Sequence, residues 1–115
     1  IIEEKTIAEI QQEFNNKFSN LKIEFYRTPH QKGEGSLSQE KWPSHLTIGE
    51  IRSVPYSGDL SINGHLKVAT LEQNFYKQYG LNIQVFRRSG GTWLQTTSTD
   101  DWPLSKQNNR NQLVA

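Results

Sequence analysis

Cysteine is absent from the 115 residues of this chain. Disulfides, thiolate metal sites and cysteine nucleophiles are excluded together. Small exported domains commonly rely on disulfides, so this absence leans towards a reducing, cytoplasmic location. Long apolar runs are missing too. None approaches the ~20 residues that span a bilayer, and no membrane partner is expected. Nor is there an excess of one charge: 13 Lys and Arg stand against 12 Asp and Glu, a net charge of +1. Neither half forms a basic or acidic tail, so the charge carries no footprint of nucleic acid or of a membrane surface. Hydrophobic residues are scarce at 33%, but five Phe, four Tyr and three Trp offset this. Aromatic rings bury more area each than aliphatic side chains. The length is that of one domain, 1–115, around one lean core.

Periodicity places the elements. Ile7, Ile10, Phe14 and Phe18 step by three, four and four, which predicts a helix over 6–18. Thr6 and Glu9 have the spacing of a capping box, and Glu13 stands four residues before Lys17 in a favourable pairing. Leu21, Ile23 and Phe25 alternate with Lys22, Glu24 and Tyr26 in a strand over 21–27. Residues 28–46 read as a long polar loop, with a turn of helix near Ser38 to Trp42. Thr47 and Glu50 suit either a short helix or a strand over 46–52. Leu60 and Ile62 alternate with Ser61 and Asn63 in a short strand closed by Gly64.

Val68, Leu71, Phe75 and Tyr79 repeat the first helix's spacing over 69–79, and Gly80 is a suitable terminator. Leu81 to Arg88 then reads as a strand, Ser89-Gly90-Gly91 as a tight turn, and Thr92 to Ser98 as the hairpin partner. Asp100 and Asp101 before Trp102-Pro103-Leu104 signal a short C-terminal helix. A weak internal repeat runs through this order. Ile7 to Phe14 lines up with Val68 to Phe75, and Leu21 to Arg27 with Leu81 to Arg87. Any two amphipathic helix–strand units share some of this likeness. The expected fold is α+β: a mixed or antiparallel sheet packed by two amphipathic helices, with a short C-terminal helix.

Between Gly58 and Leu104 the stretches Leu60 to Gly64, Leu66 to Leu71, Tyr79 to Phe86 and Asp100-Asp101 resemble a group of short uncharacterised bacterial proteins. Their order also resembles a ubiquitin-like β-grasp: strand, helix, strand, then an acidic turn into a short helix. The resemblance covers under half of the chain. It implies a β-grasp-like second half and no activity.

The residues that could carry chemistry do not assemble by spacing. His30, His45 and His65 have no partner at a recognised metal-ligand interval, although His30 and His45 share the long loop with Glu34 and Glu40. Lys32-Gly33-Glu34-Gly35-Ser36 lacks the glycine offsets of a phosphate loop. Ser44 beside His45 is adjacency in sequence and lacks the G-x-S-x-G frame. Asp100 and Asp101 read as helix caps before acid–base pairs. No catalytic residue, metal or cofactor is implied.

One constellation stands out. In the Gly90-Gly91 hairpin, Ile83, Val85 and Leu94 suit the core. Gln84, Phe86, Arg88, Trp93 and Gln95 share the opposite face, which Tyr26 and Lys22 extend if the first strand joins the sheet. Trp93 lies across from Arg88 or from Phe86, and either pairing is favourable. Rings interleaved with Arg and Gln suit a protein partner or a second copy of the chain. They also suit single-stranded nucleic acid. Trp102, Leu104 and the last helix are alternative covers for this face. The leading expectation is a non-catalytic binding or interaction module contacting its partner through Phe86, Arg88, Trp93, Gln95 and Tyr26. The alternatives are a nucleic-acid binder using the same face and a small enzyme using the 28–46 loop.

Overall fold

A computed structural model describes residues 4–27, 41–54, 60, 62–96, 99 and 101–108. The elements run α1 (Ile7–Lys17), β1 (Leu21–Tyr26), α2 (Ile48–Ile51), α3 (Val68–Tyr79), β2 (Asn82–Ser89) and β3 (Thr92–Gln95). A last helical stretch, α4, covers 104–108. The strands form an antiparallel sheet in the order β1-β2-β3. The fold is therefore α+β, with α1 and α3 on one face of the sheet.

Local chemistry accounts for most boundaries. Thr6 and Glu9 close the capping box at the start of α1, each satisfying the other's main chain. Thr47 and Glu50 do the same for α2, so within 46–52 the residues Ile48–Ile51 are helix rather than strand. Gly80 ends α3 in the left-handed conformation at φ 66°, where a Cβ would also lie 1.9 Å from the Ser53 hydroxyl. Ile7, Ile10 and Phe14 of α1 and Val68, Leu71, Phe75 and Tyr79 of α3 pack on Leu21, Ile23, Phe25, Ile83 and Val85 of the sheet. At the centre, Phe25 meets Phe75 edge to face at 5.5 Å and 85°, a geometry favoured by the ring quadrupoles.

The internal repeat is present in three dimensions. Glu24 pairs with Gln84, Ile23 with Val85, and Phe25 with Ile83. The sequence alignment equates Ile23 with Ile83 and Phe25 with Val85, so the register reads the same from either strand. A local two-fold axis passes through the Glu24–Gln84 pair. The rest of the chain follows it. Thr6, capping α1, bridges to Thr47 before α2, while Lys67, before α3, bridges to Pro103 before α4. The Ile7 amide donates to Leu46 and Ile48 to Lys5; in the second half Val68 donates to Trp102 and Leu104 to Leu66. The far ends of the short helices then cross over. Ser53, after α2, donates to Tyr79 at the end of α3 at 2.9 Å. Asn108, in α4, accepts two 2.8 Å hydrogen bonds from Asn20 after α1, one from its main-chain N–H and one from its side-chain amide.

Four expectations are corrected. Neither Leu60 nor Ile62 is in a strand; both pack against the core as irregular chain. Leu94 does not join the core and is 43% exposed, because the helices cover β1 and β2 and leave β3 as an overhanging edge. Glu13 takes Lys5 at 2.8 Å, and Lys17 reaches across to the Ile62 carbonyl. Lys41 and Trp42 are not helical: Lys41 bridges to Tyr26 on the outer edge of β1. Residues 28–40 of the long loop, including His30, Glu34 and Glu40, lie outside the described residues, as do 97, 98 and Asp100.

Candidate functional site

Strand alternation sends Lys22, Glu24 and Tyr26 of β1 to the sheet face turned away from α1 and α3. Gln84, Phe86 and Arg88 of β2 and Trp93 and Gln95 of β3 join them. The hairpin has a two-residue turn at Gly90-Gly91, and Trp93 lies directly across from Arg88. All five residues expected to form a contact surface thus share one face, though at different depths. Tyr26 and Phe86 are 1% and 9% exposed, so they support the surface from beneath. Trp93 and Gln95 are half-buried and Arg88 is exposed. Leu104, expected as one cover for this face, packs in the core on the helical side instead.

Cations cover the rings. The Arg88 guanidinium lies 4.8 Å from the centre of the Trp93 ring, and the Lys22 ammonium lies 5.1 Å from it. Lys22 is also 5.2 Å from the Phe86 ring, with Lys41 at 6.0 Å. Between the two lysines sits the Glu24 carboxylate, 3.6 Å from Lys22 and 3.4 Å from Lys41. Among the described residues, Lys22 and Lys41 share this one carboxylate. Lys41 was not legible as a member. Its place follows from the local two-fold, which sets it beside Tyr26 as Gln95 sits beside Phe86.

Two polar atoms are buried beneath this face without a hydrogen-bond partner: the Tyr26 hydroxyl and the Gln84 Oε1. Gln84 still donates through Nε2 to the Val85 carbonyl at 3.0 Å. Burial, with the Glu24 charge adding to it, pushes the Tyr26 hydroxyl up to about 12. Tyr26 is therefore neutral throughout the physiological range.

The two sheet edges differ. On the outer edge of β1, the Asn15 amide donates to the Leu21 carbonyl at 2.9 Å and the Gln11 amide to Ile23 at 2.8 Å. The main-chain N–H of Trp42 takes Phe25 at 2.8 Å. Each outward carbonyl of β1 is thus satisfied. On β3, nothing among the described residues bonds to the Trp93 main chain.

Among the described residues, the groups considered for catalysis do not converge. His45 and His65 are exposed and stand on turns in different halves of the chain. Ser44 is exposed, and its carbonyl accepts from the Ala8 amide. Asp101 is exposed ahead of α4. No group of three His, Asp or Glu that could hold a metal ion occurs among the described residues. No helix among them is long and apolar enough to cross a membrane. No family model, curated protein or solved structure matches the chain.

Proposed function

We propose that this chain is a non-catalytic binding module that contacts another protein through the sheet face centred on Trp93. One observation carries the reading. Trp93 stands half-exposed on the face opposite both long helices, held between Lys22 and Arg88 at 5.1 and 4.8 Å. A large ring pinned by cations costs little further ordering when it is buried, and tryptophan and arginine are both enriched at the energetic centres of interfaces. Tyr26 and Phe86 make the platform rigid rather than sticky.

Single-stranded nucleic acid is the weaker use of the same surface. Base stacking needs open ring faces. Here Tyr26 and Phe86 are buried, and cations already lie over the Phe86 and Trp93 rings.

The test compares the wild-type chain with Trp93→Ala, after circular dichroism has shown both to be folded. A protein captured from cells by the first and lost by the second supports the module. Capture that is indifferent to the substitution sinks it. A fluorescent single-stranded oligonucleotide serves as the counter-probe: salt-sensitive binding abolished by Trp93→Ala assigns the face to nucleic acid instead.

A further inference from the structure

Strand β3 is four residues long and overhangs the helical layer, with β2 on one side only. Its hydrogen-bonding parity follows from its neighbours. The Thr96 amide donates to the Val85 carbonyl at 3.1 Å, so 85 and 96 form a hydrogen-bonded pair. Counting along the ladder, Arg88 and Trp93 form a non-hydrogen-bonded pair. The Arg88 amide confirms this parity by turning the other way, to Asn20 at 2.8 Å. The N–H and C=O of Trp93 therefore point out of the sheet. No described residue meets them, whereas every outward carbonyl of β1 is satisfied. The outward main chain of Trp93, beside the two-glycine turn, is a template for one more strand.

The flanking side chains say what kind of strand. Leu94, 43% exposed, offers an apolar contact on one face of the edge, and Trp93 offers one on the other. Strands β2 and β3 carry Arg87 and Arg88 and no acidic residue. Arg87 has no carboxylate within ion-pair distance among the described residues, and its Nε is buried without a partner. A strand added beyond β3 would lie roughly 10 Å from β2, two strand spacings. Extended arginine side chains span that gap. A second copy of the chain would set the same cations against each other.

We propose that β3 receives an extended acidic segment of the partner protein as an added antiparallel or parallel strand, paired through the main chain of Trp93. This rests on the binding-module reading and gives the partner its chemistry: alternating apolar and acidic residues in an open segment.

The probe is an end-capped peptide, Thr-Glu-Val-Glu-Val-Glu-Thr, added to the full chain. Two controls accompany it, one with lysine in place of every glutamate and one acidic but N-methylated at alternate residues. The acidic peptide is expected to slow hydrogen exchange at the Trp93 amide at least tenfold. The lysine peptide should leave it unchanged, and N-methylation on the pairing edge should weaken binding at least tenfold. Absence of acidic-peptide binding at millimolar concentration overturns the assignment. So does binding that ignores N-methylation, or binding that leaves the Trp93 amide unprotected. Binding lost in Trp93→Ala but indifferent to N-methylation keeps the module and discards the strand pairing. Concentration-dependent protection of the Trp93 amide without peptide makes the occupant a second copy and overturns the acidic partner.

Discussion

The side-chain amide of Gln11 donates to the main-chain carbonyl of Ile23 at 2.8 Å, and also to the Glu24 carboxylate at 2.8 Å. One residue of α1 thus closes the edge of β1 and steadies the acid that holds Lys22 and Lys41 on the far face. Gln11→Ala removes both contacts. It is expected to cost about 1–2 kcal/mol in chemical denaturation, the usual worth of a partly buried hydrogen bond with one charge-assisted partner. It should also shift the amide resonances of Lys22 and Lys41. A silent substitution would show that the edge is satisfied by water.

Gly80 and Gly90 both have positive φ, at 66° and 61°, but their surroundings differ. At Gly80 a Cβ meets the Ser53 hydroxyl at 1.9 Å and Val54 at 3.2 Å, whereas at Gly90 it meets nothing within 4 Å. Gly90→Ala should cost about 1–2 kcal/mol, the left-handed backbone penalty alone. Gly80→Ala should cost clearly more, because the α2–α3 crossing has to part. Equal midpoint shifts for the two variants would remove the close approach from the explanation.

Tyr26→Phe deletes a buried hydroxyl that has no partner. Phe86 already occupies the equivalent place across the local two-fold, so the site accepts the ring. The variant should be as stable as the wild type or more stable by about 1 kcal/mol. The folded pKa is raised from 10.0 to about 12. The stability linked to this group is therefore complete below pH 10 and is lost as pH climbs towards 12. Denaturation followed between pH 9 and 12 should show a decline that is shallower in Tyr26→Phe.

Glu9 and Glu50 are held below the ordinary carboxylate value, first by the main-chain amides of Thr6 and Thr47 and then by their hydroxyls. Stability linked to a lowered carboxyl is present above its unfolded pKa and lost as pH falls. Both helix starts should loosen in acid below about pH 4. Thr6→Ala and Thr47→Ala should each cost about 1 kcal/mol at neutral pH. They should also flatten the acid limb of the stability profile. An unchanged acid limb in both variants would move that pH dependence elsewhere.

Much of this architecture was legible from periodicity. The steps of Ile7, Ile10, Phe14 and of Val68, Leu71, Phe75 located both long helices within a residue or so. The β1 alternation and the Gly90-Gly91 turn located the face with Arg88 opposite Trp93. Depth on that face was not legible. Tyr26 and Trp93 have similar sequence surroundings, yet one is buried and one half-exposed, because burial is set by what crosses over a strand and not by the strand's own pattern. Lys41 was missed for the same reason: its neighbour Tyr26 is fifteen residues away in sequence. The roles of Gln11 and Asn15 were missed because a helix-flank amide looks like any solvated polar residue until a strand edge runs past it. Leu60 and Ile62 misled because alternation over four residues also describes irregular chain anchored at two points.

The exchange of short helices makes each half the missing subunit of the other. Without α4 the first half has no lid over its helix end at Asn20, and without α2 the second has none at Tyr79. A chain severed between the halves should stay together as two fragments, and neither fragment should survive purification alone. Substitutions along the central strand pair would then be felt twice, once from each side of the same axis.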